Sequence, residues 1–231
     1  MTLMADLPRG DEKVRAVRSM FDRIAPRYDL VNRVMTFGMD VGWRRRTVEL
    51  LALPRGALVL DVACGTGDLC CELSSKGLRP VGLDMSWGML AAARRCAPLV
   101  QGDALALPVR DASCDGVTCG FALRNVAGLQ ELFSEFARVV RPGGRIALLE
   151  VAEPAHAVPR AAHRLYFRRV VPLVGGLLSD RDAYSYLPRS TQYLPPAAEL
   201  LSIVRGAGFA GIETRSVGMG AAQVITATRA F

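Results

Sequence analysis

Asp61, Gly65, Gly67, Asp84 and Asp103 are the residues whose types and spacing promise chemistry. The loop Asp61-Val62-Ala63-Cys64-Gly65-Thr66-Gly67 follows an apolar run, and its glycines let the backbone approach a ligand closely. It departs from a dinucleotide fingerprint, because Cys70 stands where the third glycine of Gly-x-Gly-x-x-Gly belongs. Asp61, four positions before Gly65, would repel a pyrophosphate but attract a cationic sulfonium bearing an α-amino group. Asp84 comes 17 residues after Gly67 (84 − 67), and an acidic side chain at a strand end there can accept both ribose hydroxyls, with Met85 beside it. Asp103 is placed for an adenine amino group, with Ala104 offering a backbone contact. No Gly-x-x-x-x-Gly-Lys-Ser/Thr stretch exists, which excludes a P-loop. The set predicts a site for S-adenosyl-L-methionine, and hence methyl transfer.

Positioning these residues takes an α/β framework. From Ala57 onward short apolar runs alternate with helical segments, the pattern of a mostly parallel sheet. Strands are expected at Ala57–Ala63, Pro80–Met85, Leu99–Asp103, Gly116–Phe121, Arg145–Val151, Ile212–Val217 and Ala222–Thr228. The link Gly218-Met219-Gly220 is too short for a parallel crossover, so the last two strands form an antiparallel hairpin. Helices are expected at Asp68–Lys76, from an Ser86 cap to about Arg95, at Leu129–Val140 and at Ala197–Gly206. In the third of these, Leu129, Leu132, Phe133, Phe136, Val139 and Val140 share one face. Pro142-Gly143-Gly144 ends it. The chain divides into a helical lid (11–53), a cofactor-binding core (54–153), a helical cap (154–196) and a terminal helix with hairpin (197–231), within a single domain 1–231.

Composition narrows the class. The 231 residues are 51% hydrophobic and 22% charged, enough for one well-packed domain. The first residues have no apolar leader, and Val170–Leu178 is far shorter than the ~20 residues of a membrane span, so a cytoplasmic location is expected. Net charge is +7, almost all of it arginine, since Lys13 and Lys76 are the only lysines. No base-flipping motif or aromatic single-strand platform accompanies that charge, which argues against a nucleic-acid partner. Cys64, Cys70, Cys71, Cys96, Cys114 and Cys119 include no Cys-x-x-Cys pair, and the adjacent Cys70 and Cys71 suit neither zinc nor a disulfide. Buried thiols are expected, and no metal, since His156 and His163 lack ligand-spaced partners.

Four longer segments carry a resemblance: Met20-Phe21-Asp22-Arg23-Ile24-Ala25-Pro26-Arg27-Tyr28-Asp29-Leu30-Val31-Asn32 running on to Trp43, Gly120-Phe121-Ala122-Leu123-Arg124-Asn125-Val126, Arg138 to Arg145 with Glu150 following, and Ala183-Tyr184-Ser185-Tyr186-Leu187-Pro188-Arg189-Ser190. Through them the sequence resembles the ubiquinone/menaquinone biosynthesis C-methyltransferase family from about Val17 to Thr228. The resemblance implies a class I, Rossmann-like seven-stranded fold, and cofactor contacts from Thr66, Asp84, Asp103, Ala104 and the position of Gly120. It also implies methylation of a ring carbon on a prenylated quinol, with demethylmenaquinol to menaquinol favoured over the ubiquinone pathway. That family usually has Ser where Gly120 stands, often His where Asp40 stands, and Glu-x-Ser where this chain has Glu150-Val151-Ala152. These departures leave another phenolic or polyketide acceptor as the alternative.

Within that expectation Arg124 stabilises a developing phenolate, Asn125 positions the hydroxyl or a relaying water, and Tyr28 closes over the ring together with Asn32. Arg160, Arg164 and Arg168 recur at i, i+4, i+8 beside Leu165 and Val171. That stripe predicts weak peripheral contact with an anionic membrane surface, from which an insoluble prenyl tail must come.

Overall fold

The computed structural model of the chain describes residues 10–154 and 165–231. Its centre is β1 (Leu58–Val62), whose sequence LVLDV is buried nearly throughout, as a parallel strand covered on both faces requires. β2 (Arg79–Asp84) and β4 (Cys114–Gly120) flank it in parallel, and β3 (Leu99–Gln101) and β5 (Val140–Val151) extend the sheet on either side. β6 (Phe209–Val217) and β7 (Ala222–Arg229) complete the order β3-β2-β1-β4-β5-β7-β6, with β7 antiparallel to both neighbours. The strand order therefore reverses between β1 and β4, and a crevice opens beyond their carboxyl ends.

Five helices lie in or between these strands: α4 (Asp68–Ser75), α5 (Trp87–Ala92), α6 (Leu129–Val139) and, after the cap, α9 (Ala197–Gly206), with α3 (Met39–Leu51) preceding β1. On α6 the expected face is the buried one: Leu132, Phe133, Phe136 and Val139 are fully enclosed. The rings of Phe133 and Phe136 meet edge to face at 5.7 Å. Burial of each such ring stabilises the fold by roughly 1.5–3 kcal/mol.

Ahead of the sheet, α1 (Gly10–Ile24) and α2 (Tyr28–Met35) cross the crevice. Asp11 and Glu12 in the first turn of α1 and Arg23 in its last oppose the helix dipole favourably. Lys13 on α1 is buried; its Nζ donates to the Val126 carbonyl at 2.7 Å and lies 3.7 Å over the Tyr193 ring. Burial lowers its pKa to about 8. The cap holds a turn at Tyr166–Val170, then α7 (Val171–Leu178) and α8 (Arg181–Ser190). Asp180 starts α8 by accepting from the amides of Asp182 and Ala183. His156, His163, Arg160 and Arg164 lie outside the described residues, as does the side chain of Arg168.

Three local expectations are corrected. α5 stops at Ala92 rather than near Arg95, because Ala93 turns extended and the Arg94 amide donates to the Thr66 carbonyl at 3.0 Å. β5 begins at Val140, with Arg141–Gly144 bulging out between the pairings Cys114–Val140 and Gly116–Arg145. Cys71 and Cys96 form a disulfide, while Cys64, Cys70, Cys114 and Cys119 are free and buried. On α4 Cys70 faces the core, so Cys71, one residue on, faces sideways toward the loop that carries Cys96. Adjacency was what made pairing look unfavourable, and it is what separates the two thiols.

Candidate active site

Two adjoining cavities occupy the crevice. One is a cleft at the strand ends, lined by Gly65, Asp84, Met85, Asp103, Ala104 and Gly120, with Ala63, Leu105 and Ala122 between them and Val14, Val17 and Phe21 of α1 as its roof. The Asp84 carboxylate accepts from the Gly65 amide and the Ser86 amide, each at 2.8 Å. Burial raises its pKa, against those two bonds. Asp103 is exposed, and its Oδ1 accepts from the Leu105 amide at 2.9 Å. Each carboxylate keeps lone pairs for ligand hydroxyl or amino groups.

Asp61, Thr66 and Gly67 are not on that wall. Asp61 is fully buried under the loop, where the strand pleat turns it; it accepts from Thr118 Oγ1 at 2.7 Å and Cys70 Sγ at 3.4 Å. Burial, opposed by those bonds and by Arg44, raises its pKa to about 7. Thr66 donates to Asp29 Oδ1 of α2 at 2.5 Å, and Gly67, at φ +83°, packs on the Arg94 backbone as it starts α4. These residues shape the loop and tie it to α2. Asp22 of α1 adds a second fastening, accepting from Ser86 Oγ at 2.6 Å and the Gly88 amide at 2.9 Å. At Gly120 an added Cβ would stand 2.9 Å from Leu69 Cδ1, so a serine there would press on Leu69.

The second cavity is a chamber of about 430 Å³ under the cap. Met20, Ile24, Met35, Trp43 and Val171 make it mainly apolar, and Asn32, Asp40, Arg44, Arg124, Tyr184 and Tyr186 bring polar groups to it. Phe21, Tyr28, Phe121 and Asn125 line both cavities and form the gateway between them. Phe121 and Ala63, just past the ends of β4 and β1, have φ of +57° and +55°. Such backbone costs of order 1–3 kcal/mol and clusters where geometry is functional.

The sequence-predicted polar residues are therefore brought together, in altered company. Arg124 is buried, with its Nη1 on Glu150 Oε1 and its Nε donating to Ser190 Oγ at 3.2 Å. Asn125 donates from Nδ2 to the Phe121 carbonyl and accepts on Oδ1 from the Tyr186 hydroxyl, both at 3.4 Å. Asp40 is buried, takes hydrogen bonds from Arg33 and Arg44, and accepts from Thr36 Oγ1 at 2.8 Å. Arg33 and Arg44 also bridge to Asp68. Among the described residues no group of His, Cys, Asp or Glu could hold a metal.

A family model described as the ubiE/COQ5 methyltransferase family matches residues 9–229. A demethylmenaquinone methyltransferase of Roseiflexus sp. (strain RS-1) is 45% identical over 229 residues, covering 95% of this chain and 96% of that one. The protein of the same name from Deinococcus radiodurans is 44% identical over 214 residues, covering 87% and 89%. Among solved structures, a SAM-dependent methyltransferase from Thermotoga maritima aligns with a TM-score of 0.65 at 19% identity, over 92% of this chain and 99% of that one. Phosphoethanolamine N-methyltransferase 2 of Haemonchus contortus, solved with S-adenosyl-L-methionine, aligns at 0.63 and 14% identity, over 93% and 60%. The shared fold is that of class I methyltransferases. With lid, sheet and cap all inside the matched range, the chain belongs to the ubiE/COQ5 methyltransferase family.

Proposed function

We propose that this methyltransferase transfers its methyl group to a ring carbon of a prenylated quinol, converting demethylmenaquinol to menaquinol. The observation that carries the reading is the adjoining pair of cavities, a cleft edged with carboxylates and an apolar chamber that share four lining residues. A fused aromatic ring with an isoprenoid chain suits that chamber, and the names of the matched relatives support the same acceptor.

Bound in the cleft, S-adenosyl-L-methionine supplies an electrophilic methyl group already activated by its sulfonium. What is left to the chain is position, exclusion of water and an electron-rich ring carbon, and orientation alone is worth ~7–11 kcal/mol. In this proposal Asp84 takes the ribose hydroxyls, Met85 flanks them, Asp103 and Ala104 meet the adenine, and Gly65 and Gly120 give close backbone approach. The ring carbon gains electron density as the neighbouring hydroxyl passes its proton to water, and the hydrogen displaced from the methylated carbon restores that hydroxyl as a proton. Asn125 orients that hydroxyl, or a water relaying the proton, because its long bonds to Tyr186 and Phe121 exchange readily for ligand. Arg124 acts mainly as a post for the turn Leu123–Asn125, since Glu150 balances much of its charge. Tyr28 closes the gateway from the lid. Mass spectrometry of quinones from a host lacking its own enzyme, with and without this gene, tests the reading. Menaquinone should appear in place of demethylmenaquinone; demethylmenaquinone left unchanged despite expressed, cofactor-binding protein would overturn it.

The tail must arrive from a bilayer. Phe37, Met39 and Met219 line the chamber and yet are 76%, 37% and 87% exposed, which makes an apolar lip at its mouth. Leu30 and Val34 on α2 and Leu173 on α7 are exposed as well, on helices that pack together. This lip and the +7 charge support peripheral contact with an anionic membrane surface. Among the described residues no helix is long and apolar enough to cross a membrane.

A further inference from the structure

Tyr184 on α8 is 3% exposed and packs among Met20, Ile24, Val31 and Met35. Its ring rests on α7 at Gly175, where an added Cβ would fall 2.1 Å from the tyrosine Cγ. The ring is thus packed between its own helix and α7. Its hydroxyl is buried and, among the described residues, is the one buried side-chain polar atom with no hydrogen-bond partner. An unpaired buried hydroxyl destabilises a fold, and a phenylalanine in the same seat would pack equally well without that cost. The group is therefore unexplained by packing. Tyr184 also lines the chamber, together with Tyr28, Asn125 and Tyr186. Burial, reinforced by Tyr28 and Asp180, pushes its ionisation well above that of an ordinary tyrosine, so it remains a neutral donor.

We infer that the Tyr184 hydroxyl binds the acceptor by donating a hydrogen bond to one of its ring oxygens. The inference rests on the chamber being the acceptor site. Asn125 borders both cavities, whereas Tyr184 borders the chamber and is not on the cleft wall. Asn125 accordingly meets the oxygen nearer the transferred methyl group, and Tyr184 the oxygen on the far side of the ring. Held at both ends, the ring presents one particular carbon to the cofactor. Tyr184 is thus a specificity-determining residue, recognising a dihydroxylated ring over a monohydroxylated one.

Steady-state kinetics of the full chain with its cofactor and a reduced prenylated naphthoquinol test this. Tyr184→Phe should lower kcat/KM about tenfold, chiefly through KM, which corresponds to about 1.4 kcal/mol. Cofactor affinity should be unchanged, and Tm equal or higher, because the buried unpaired hydroxyl is gone. With a prenylated naphthol lacking the far oxygen, wild type and Tyr184→Phe should agree within twofold. A Tyr184→Phe enzyme within twofold of wild type on the quinol overturns the inference, as does an equal loss on both acceptors or a loss that accompanies a fall in Tm. Absence of quinol turnover by the wild-type protein, with cofactor binding intact, overturns the acceptor reading and this inference with it.

Discussion

Asp61 has the place in sequence of a ligand-binding carboxylate and the surroundings of a core residue. Spacing alone could not separate the two, because the alternation of a strand decides which way each side chain points, and Asp61 points beneath the loop toward Thr118 and Cys70. Its pKa of about 7 lies above the value near 3.9 of an unfolded aspartate. The folded state therefore holds this proton more tightly than the unfolded chain. The contribution of Asp61 to stability is least favourable above pH 7 and improves as pH falls from about 7 toward 4. Asp61→Asn, which removes the charge, should raise Tm at pH 8 and change it little near pH 5. Thermal melts of both proteins across that range check it, and an offset independent of pH would sink the idea. Tyr184 shows the opposite limit of reading residues one by one. It stands inside a segment that resembles the family, yet nothing in its type reveals that its hydroxyl goes unpaired. Glu150 and Ser190, the partners of Arg124, were equally silent, because ion pairs between distant strands and helices leave no local pattern.

Elements were far more legible. All seven strands follow from short apolar runs between turn residues, and α9 has the bounds Ala197–Gly206 that its capping and periodicity indicate. Where reading failed, tertiary contacts overrode local preference. α5 loses its last turn because the 93–98 loop is drawn over the glycine-rich turn, with the Arg94 amide on Thr66 and the Arg94 carbonyl 3.4 Å from a Cβ added at Gly67. The Cys71–Cys96 disulfide clamps the same loop to α4 across 25 residues. Closing a loop of that length stabilises a fold by about 3 kcal/mol in the chain-entropy description. Dithiothreitol should therefore lower the denaturation midpoint of the wild-type protein and leave that of Cys96→Ser where it was. Identical wild-type midpoints with and without reductant would show that the clamp contributes nothing. Helices before the sheet are expected from the sequence, but the bonds of Asp22 and Asp29 are not, since short acidic side chains on an amphipathic helix read equally well as solvated.

At the scale of the molecule, the +7 charge pointed toward anions but not to a place on the surface. The lip of Phe37, Met39 and Met219 supplies a place. Co-flotation with anionic vesicles at low salt is expected, and Phe37→Asp combined with Met219→Asp should reduce it severalfold while leaving cofactor affinity unchanged. Flotation of the double variant equal to that of wild type would remove the lip from the proposal. The gateway has a consequence of another kind. Phe21, Tyr28, Phe121 and Asn125 belong to the walls of both cavities, so whichever ligand arrives first immobilises side chains that the second would otherwise have to order. On the proposed function the two binding equilibria are expected to be coupled, and reciprocity fixes the size of the effect in both directions. If the demethylated cofactor product, used to prevent turnover, tightens quinol binding by some factor, typically about 5–150-fold, quinol must tighten its binding by the same factor. Calorimetric titration of each ligand with the other absent and then saturating measures both factors. Unit values in both would mean that a common wall transmits nothing; a shared value above one makes the wall an energetic contact between two molecules that meet only to exchange a single carbon.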